Sequence, residues 1–228
     1  MSHIVAMIMA AGRGDRFGAG VLKQFALVHA RPAVAWSIER FAACPDVKSI
    51  VVVTPPGDEG AWQAALAEPS GIHVDQTVAG GETRQDSVWL GLQALPDETT
   101  HVLVHDAARP CLSDSLIASV LEALRNHDAV VPTVPVVDTL VREVDGAVDA
   151  ILDRARLAGV QTPQAFARGL LLHAHQRARA NGYRSSDDGS LVLALGETVV
   201  TVPGECTNIK ITYREDLVVA EAILARRA

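Results

Sequence analysis

The sequence predicts an α/β protein: a mostly parallel, twisted sheet with helices on both faces, from which a β-arm protrudes. Three observations carry this. Short continuous apolar runs closed by Gly, Pro or Asp alternate with segments of helical periodicity, the rhythm of strands buried on both faces by crossover helices. Only 4% of residues are aromatic, and Ala, Val and Leu dominate. The rhythm breaks once, over residues 134–164, where two apolar-rich segments flank Asp145-Gly146, a strong hairpin-turn signal.

Taken in order, Ile4 to Met9 is a short apolar run ending near glycines and reads as the first strand. Pro32 to Cys44 places Val34, Ile38 and Phe41 at helical spacing, with Pro32 near the first turn. Ser49 to Thr54 is a β-branched second strand closed by Pro55-Pro56-Gly57; a short helix over Gly60 to Ala67 and a third strand at Ile72 to Val74 follow. Thr83 to Leu95 reads as a helix with Glu82 or Thr83 at its cap, His101 to His105 as a strand, and Ser113 to Arg125 as a helix capped by Ser113. Ala129 to Pro132 returns to the sheet. After the arm come a helix over 166–180, a strand at Thr198 to Val202 and a last helix from Arg214 to Arg226. Residues 1–228 make one domain, a length suited to one core.

Hydrophobic residues make up 49% and charged residues 21%, which excludes a disordered chain. The formal net charge of −7 disfavours a nucleic-acid partner. A small anionic substrate needs only a local cluster of cations. Cys44, Cys111 and Cys206 are odd in number and far apart, without zinc or disulfide spacing. No leader-like segment or membrane-length apolar run occurs, so a soluble cytoplasmic protein is expected.

The stretch Ala10-Ala11-Gly12-Arg13-Gly14-Asp15-Arg16 follows the first strand, where phosphates bind in α/β sheets. Phe17 stands where a dinucleotide fingerprint needs its third glycine, and Lys23 follows Leu22 rather than the glycine of a P-loop. The pattern A-A-G-x-G-x-R followed by Lys-Gln fits, through Ala10, Ala11, Gly12, Gly14, Arg16, Lys23 and Gln24. Small residues let backbone N–H groups approach a triphosphate, while Arg16 and Lys23 neutralise its charge. Further candidates are Gly80-Gly81-Glu82 with Ser87 at a helix start, and Asp106-Ala107-Ala108-Arg109 at the carboxyl end of a strand. Asp138-Thr139 and Thr162-Pro163-Gln164 bracket the arm, and Lys210 interrupts an apolar strand before the last helix.

Together these segments resemble the 2-C-methyl-D-erythritol 4-phosphate cytidylyltransferases of the non-mevalonate isoprenoid pathway, over about Ile4 to Leu224 and in the right order. The resemblance implies a Rossmann-like nucleotidyltransferase fold, a Mg²⁺ requirement met mainly through the CTP phosphates, and a homodimer with interlocking arms. It implies Arg16 and Lys23 as transition-state cations, and Ala10, Ala11, Gly12, Gly81, Glu82 and Ser87 as CTP contacts. Asp106 falls at the ribose and metal side, beside Ala107 and Arg109. Arg154 and Thr139 correspond to arm residues reaching the methylerythritol phosphate of the other subunit, and Lys210 to the residue that positions its phosphate. Thr162 and Ser186 are further substrate-contact candidates. Leu22, Glu82 and Ser186 depart from the family's usual Pro, Asp and Thr. No cyclodiphosphate synthase segment follows Ala228, so the monofunctional form is expected.

The implied reaction is transfer of CMP from CTP to 2-C-methyl-D-erythritol 4-phosphate, by in-line attack of the substrate phosphate on the α-phosphate of CTP. No general base is required, because a phosphate monoester with a second pKa near ~6 is already mostly dianionic at neutral pH. His101 and His105 are therefore read as packing or locally bonded. The rival readings are a cytidylyltransferase for another polyol phosphate such as ribitol 5-phosphate, and a non-catalytic nucleotide-binding regulatory protein. A nicotinamide oxidoreductase is disfavoured by Phe17.

Overall fold

The computed structural model describes residues 2–12, 23–58, 60, 62 and 74–227. Its main sheet has eight strands: β1 (Ile4–Met9), β4 (Val47–Thr54), β5 (Gln76–Ala79), β6 (His101–Asp106), β7 (Ala129–Pro135), β10 (Ala158–Val160), β11 (Gln164–Ala167) and β12 (Val200–Pro203). A minor ribbon pairs β2 (Leu27–Val28) with β3 (Arg31–Pro32), and a second pairs β8 (Val141–Val144) with β9 (Ala147–Ile151). Strands β5, β4, β1 and β6 lie side by side and parallel. Beyond β6 the antiparallel strand β11 is inserted, then β7, which carries β12 parallel on its far side. Mostly parallel is thus correct, with two short antiparallel strands, β11 and β10, both paired to β7.

The helices are α1 (Ala33–Ala42), α2 (Arg84–Ala94), α3 (Asp114–Leu124), α4 (Arg168–Ala180), α5 (Asp188–Leu193) and α6 (Glu215–Ala225). Along β1 the two-residue period sends Ile4, Ala6 and Ile8 to one face and Val5 and Met7 to the other. The first face packs under α1 and α3 through Val34, Ile38, Phe41, Leu116 and Val120. The second packs under α2, α4 and α5 through Val88, Leu92, Leu171 and Val192. Both faces are therefore dry, which is why the strands read as continuous apolar runs.

Several boundaries differ from expectation. The strand expected at 72–74 is β5 at 76–79; Ile72 and His73, and most of the helix expected over 60–67, lie outside the described residues. The helix expected from 166 begins at Arg168, because Gln164–Ala167 is drawn into the sheet between β6 and β7. Lys210 is not on a strand: residues 207–212 are irregular, with the Ile211 amide bonded to the Ala108 carbonyl at 2.8 Å. The β8–β9 ribbon turns at Asp145-Gly146 with φ of 50° and 78°, as the hairpin signal requires. It leaves the sheet after β7 and returns at β10.

Candidate active site

The carboxyl ends of the parallel strands are tied into one rim. Ala10 N–H donates to the Val53 carbonyl (2.8 Å), Gly80 N–H to that of Thr54 (2.8 Å), and Ala107 N–H to that of Met9 (3.1 Å). Chain order reverses across β1, since β4 lies on one side and β6 on the other, and such a switch point is where α/β sheets bind ligands. Gly80 is required sterically: a Cβ there would lie 2.5 Å from the Ala11 Cβ and 3.1 Å from the Thr54 oxygen. The 10–12 and 80–83 loops are thereby contiguous. Buried Gln24 holds the first of them, its amide donating to the carbonyls of Ala10 and Gly12, the latter at 3.0 Å. Gly14 and Arg16 lie outside the described residues, and of Lys23 only the backbone, at the start of a 3₁₀ turn, is described.

The second loop is closed from within. Thr83 caps α2 by accepting from Asp86 N–H (3.1 Å). Ser87 Oγ donates to the Thr83 carbonyl (2.9 Å) and accepts from Gly81 N–H (3.1 Å). The Ser87 hydroxyl is buried in this turn, while Glu82 is exposed beside it.

At the end of β6 three cations converge on one carboxylate. Asp106 Oδ2 accepts from Lys210 Nζ at 2.6 Å and has Arg109 Nε at 3.9 Å; its Oδ1 accepts from Arg84 Nε at 3.3 Å. Burial alone would raise the Asp106 carboxyl pKa, but the charges of Arg84, Lys210 and Arg109 outweigh it and hold the group well below the usual carboxylate range. Arg109 donates to the Asn208 carbonyl (2.7 Å), and its burial lowers its pKa from the ordinary guanidinium value. Thr162 Oγ1 accepts from the Asp106 backbone N–H (3.0 Å) and lies 3.1 Å from His105 Nδ1. That accepting nitrogen leaves His105 Nε2–H facing Ser37 Oγ and the Arg109 carbonyl. Fully buried, His105 is pushed down to about 3, so it stays neutral and sets the loop rather than exchanging protons.

Arg84, Asp106, Arg109, Thr162, Ser186 and Lys210 line one cleft of about 470 Å³. A larger hollow of about 650 Å³ beside α4 and α5 contains none of the residues expected from sequence, so the chemistry favours the smaller one. Thr139 and Arg154 are exposed on the arm and do not line the cleft; Arg154 Nη1 instead bonds the Val137 carbonyl. Sequence reasoning missed Arg84. The available signal was a cation at the first residue of a helix, which the helix dipole disfavours unless carboxylates hold it there.

Phosphate-approachable loops at the strand ends beside a cleft with converging cations define a nucleotidyltransferase. A sequence model described as IspD, 2-C-methyl-D-erythritol 4-phosphate cytidylyltransferase, matches residues 4–226. A Pelotomaculum thermopropionicum protein of that name is 43% identical over 229 residues, covering 100% of this chain and 96% of the relative. The crystal structure of the Thermus thermophilus cytidylyltransferase superposes with TM-score 0.79 at 40% identity, over 96% of this chain and 98% of that one. That of the Anaerococcus prevotii 4-diphosphocytidyl-2C-methyl-D-erythritol synthase gives 0.84 at 31%, over 99% of each. The chain belongs to the 2-C-methyl-D-erythritol 4-phosphate cytidylyltransferase family.

Proposed function

We propose that this chain transfers CMP from CTP to 2-C-methyl-D-erythritol 4-phosphate, giving 4-diphosphocytidyl-2-C-methyl-D-erythritol and pyrophosphate. The observation that carries this, beside family membership, is the convergence of Arg84, Arg109 and Lys210 on Asp106 in a cleft at the sheet's carboxyl edge. Arg109 and Lys210, clustered on one wall of the cleft, suit a phosphate dianion. Lys210, 39% exposed, is the cation with freedom to turn from Asp106 to that phosphate. The loops of Ala10 to Gly12 and Gly80-Gly81, whose small residues let a ligand come close, are assigned to the nucleotide, and Arg16 and Lys23 to charge developing on the pyrophosphate leaving group. Ser186 and Thr162, both on the cleft, are assigned to the polyol side.

Among the described residues no cluster of three or more His, Cys, Asp or Glu side chains is built to cage a metal. Asp106 and Asp187 both line the cleft, and Asp106 is the one in contact with Arg84, Arg109 and Lys210. Such a donor set fits a Mg²⁺ carried in on the triphosphate, with Asp106 as its protein-side carboxylate, as Mg²⁺ commonly binds. Bound there, the ion neutralises phosphate charge. The protein's own work is orientation: Lys210 and Arg109 hold the attacking phosphate, and the loops hold the α-phosphate in line. The attacking oxygen bonds to the α-phosphorus as the bond to pyrophosphate breaks, with no proton to remove.

The active unit in this reading is a homodimer in which Thr139 and Arg154 of each arm reach the other subunit's cleft. Large exposed apolar side chains on the arm support it, with Val137 79%, Val148 64% and Ile151 73% exposed in the single chain. Three unpaired cysteines support a cytoplasmic site of action, and no helix among the described residues is long and apolar enough to cross a membrane. The test is pyrophosphate release with Mg²⁺, each of the four nucleoside triphosphates and a panel of polyol phosphates. Release confined to CTP with methylerythritol phosphate is expected; a preference for ribitol 5-phosphate, or silence with every pair, overturns the reading.

A further inference from the structure

Beneath the cleft, Arg84 continues into two buried groups, Asp188 and His175, that the reaction as described leaves unused. Arg84 donates from Nη1 to Asp188 Oδ2 at 2.6 Å, and His175 Nε2 lies 3.1 Å from the other oxygen of the same carboxylate. Asp188 is 1% exposed and His175 fully buried. Three helices meet here: α2 supplies Arg84 as its first residue, α4 supplies His175, and α5 supplies Asp188. The Arg84 guanidinium thus spans two carboxylates, Asp188 below and Asp106 in the cleft. Burial would lower its pKa, but Asp188 and Asp106 outweigh that and raise it, so it is permanently charged.

A buried ion pair of this kind has a purely architectural reading, as a staple between three helices. The far end of Arg84 argues for more. Asp106 is shared between two unlike partners: Lys210, partly exposed and able to move, and Arg84, fixed from behind. When Lys210 turns to a substrate phosphate, Asp106 loses its shortest contact. Arg84 Nε and the Thr162 hydroxyl on the Asp106 amide then keep Asp106 in place. A guanidinium held at two points defines an orientation, whereas an ammonium would define only a charge.

We infer that Arg84, buttressed by Asp188 and His175, is the positioning residue that holds Asp106 still while Lys210 changes partner. Asp188 and His175 act on the reaction only through Arg84. The inference rests on the proposed cytidylyl transfer, so wild-type pyrophosphate release is measured first; its absence removes that reading, and this one with it.

Given an active wild type, Arg84→Gln and Asp188→Asn should each lower kcat by roughly ten- to a hundredfold, the range for partners standing behind a contact group. KM for the polyol phosphate should stay within about threefold, because Lys210 and Arg109 remain. The double variant Arg84→Gln/Asp188→Asn should be no slower than Arg84→Gln alone, since residues acting through one another are not additive. Arg84→Lys should fall with them although the charge is kept. Should Asp188→Asn alone fail to fold, the charge-balanced double variant against Arg84→Gln still gives the comparison. His175→Leu should slow turnover, and His175→Gln, which keeps a donor at similar reach, should recover part of it. Multiplied losses in the double variant, a wild-type kcat in folded Arg84→Lys, or a loss confined to KM would each overturn the inference while leaving the activity intact.

Discussion

Asp106 and His105 are neighbours on β6 with opposite charge states, and the alternation of the strand is the cause. Asp106 points to the cleft, where Arg84, Lys210 and Arg109 keep it ionised; His105 points into the core, where burial keeps it neutral. The two titrate with distinct consequences. Unfolded chain takes up a proton on this imidazole below its ordinary 6.5, whereas folded chain resists until about 3. Stability from His105 is therefore complete above 6.5 and is lost between 6.5 and about 3 as pH falls, at up to about 1.4 kcal/mol per unit. Asp106 and Asp188 have depressed values, so their contribution is present above the ordinary 3.8 and is lost only below it. Urea unfolding of His105→Gln across this range should show a flatter limb between pH 6.5 and 4 than wild type, with the steep loss below pH 4 retained. An unchanged slope in the upper window would mean that His105 is not held neutral by the fold.

The cations divide by what each touches. Lys210→Ala should raise KM for the polyol phosphate by roughly tenfold or more, the loss of one charge-assisted contact of ~1.5–3 kcal/mol, and leave CTP affinity near wild type. Arg16→Ala and Lys23→Ala should instead lower kcat far more than they weaken CTP binding, as expected for groups engaged only in the transition state. Near-normal turnover in both would sink the leaving-group assignment.

At the scale of elements, the parts legible in sequence were those whose local pattern and tertiary role agree. Strands β1, β4 and β6 are buried on both faces and read as unbroken apolar runs; α2 and α3 carry Thr83 and Ser113 caps; the Asp145-Gly146 turn has the positive φ values its residues favour. What was not legible was decided by distant partners. β11 is four residues, Gln164 to Ala167, whose strand state depends on β6 and β7 on either side, so it read as the start of the following helix. α5 is six residues, anchored through Asp187 at its cap and Asp188 on Arg84 and His175. The cleft was half legible. Asp106, Arg109, Thr162, Ser186 and Lys210 were named and are brought together, but Arg84 lies about twenty residues from Asp106 and a hundred from Asp188, a separation no local motif encodes. The hairpin yields its own expectation. Gly146 sits at φ 78° with open space around it, so Gly146→Val meets backbone strain rather than a clash, costing ~1 kcal/mol or more in the arm. Thermal unfolding of the main domain should shift little, because the ribbon pairs only with itself; a large drop in Tm would show that the arm supports the core.

The whole molecule presents an imbalance that one chain does not resolve. Its sheet is covered on both faces, yet Val144, Val148 and Ile151 on a ribbon two strands wide, and Val137 on the segment leading to it, stand in solvent. A two-stranded hairpin alone is marginally stable in water, so a partner surface for these side chains is the expected reason that the arm persists. If that partner is a second copy, two-fold symmetry makes each arm both donor and acceptor, and Thr139 and Arg154, outside their own cleft, come to serve the other one. Val148→Asp/Ile151→Asp should then convert the protein to a monomer in analytical ultracentrifugation and abolish turnover without lowering helix content. The sharper measurement is complementation. Assayed with polyol phosphate well below the wild-type KM, Arg154→Ala and Lys210→Ala homodimers should each retain only a small fraction of wild-type turnover, but in a mixed dimer one cleft keeps its Lys210 and receives an intact Arg154 from the other subunit, while the second cleft lacks both. Refolding an equal mixture should restore up to about a quarter of wild-type activity, since half the dimers are mixed and each has one competent site. No recovery in a verified heterodimer would place both residues within one subunit's site and leave the exposed apolar arm needing another occupant.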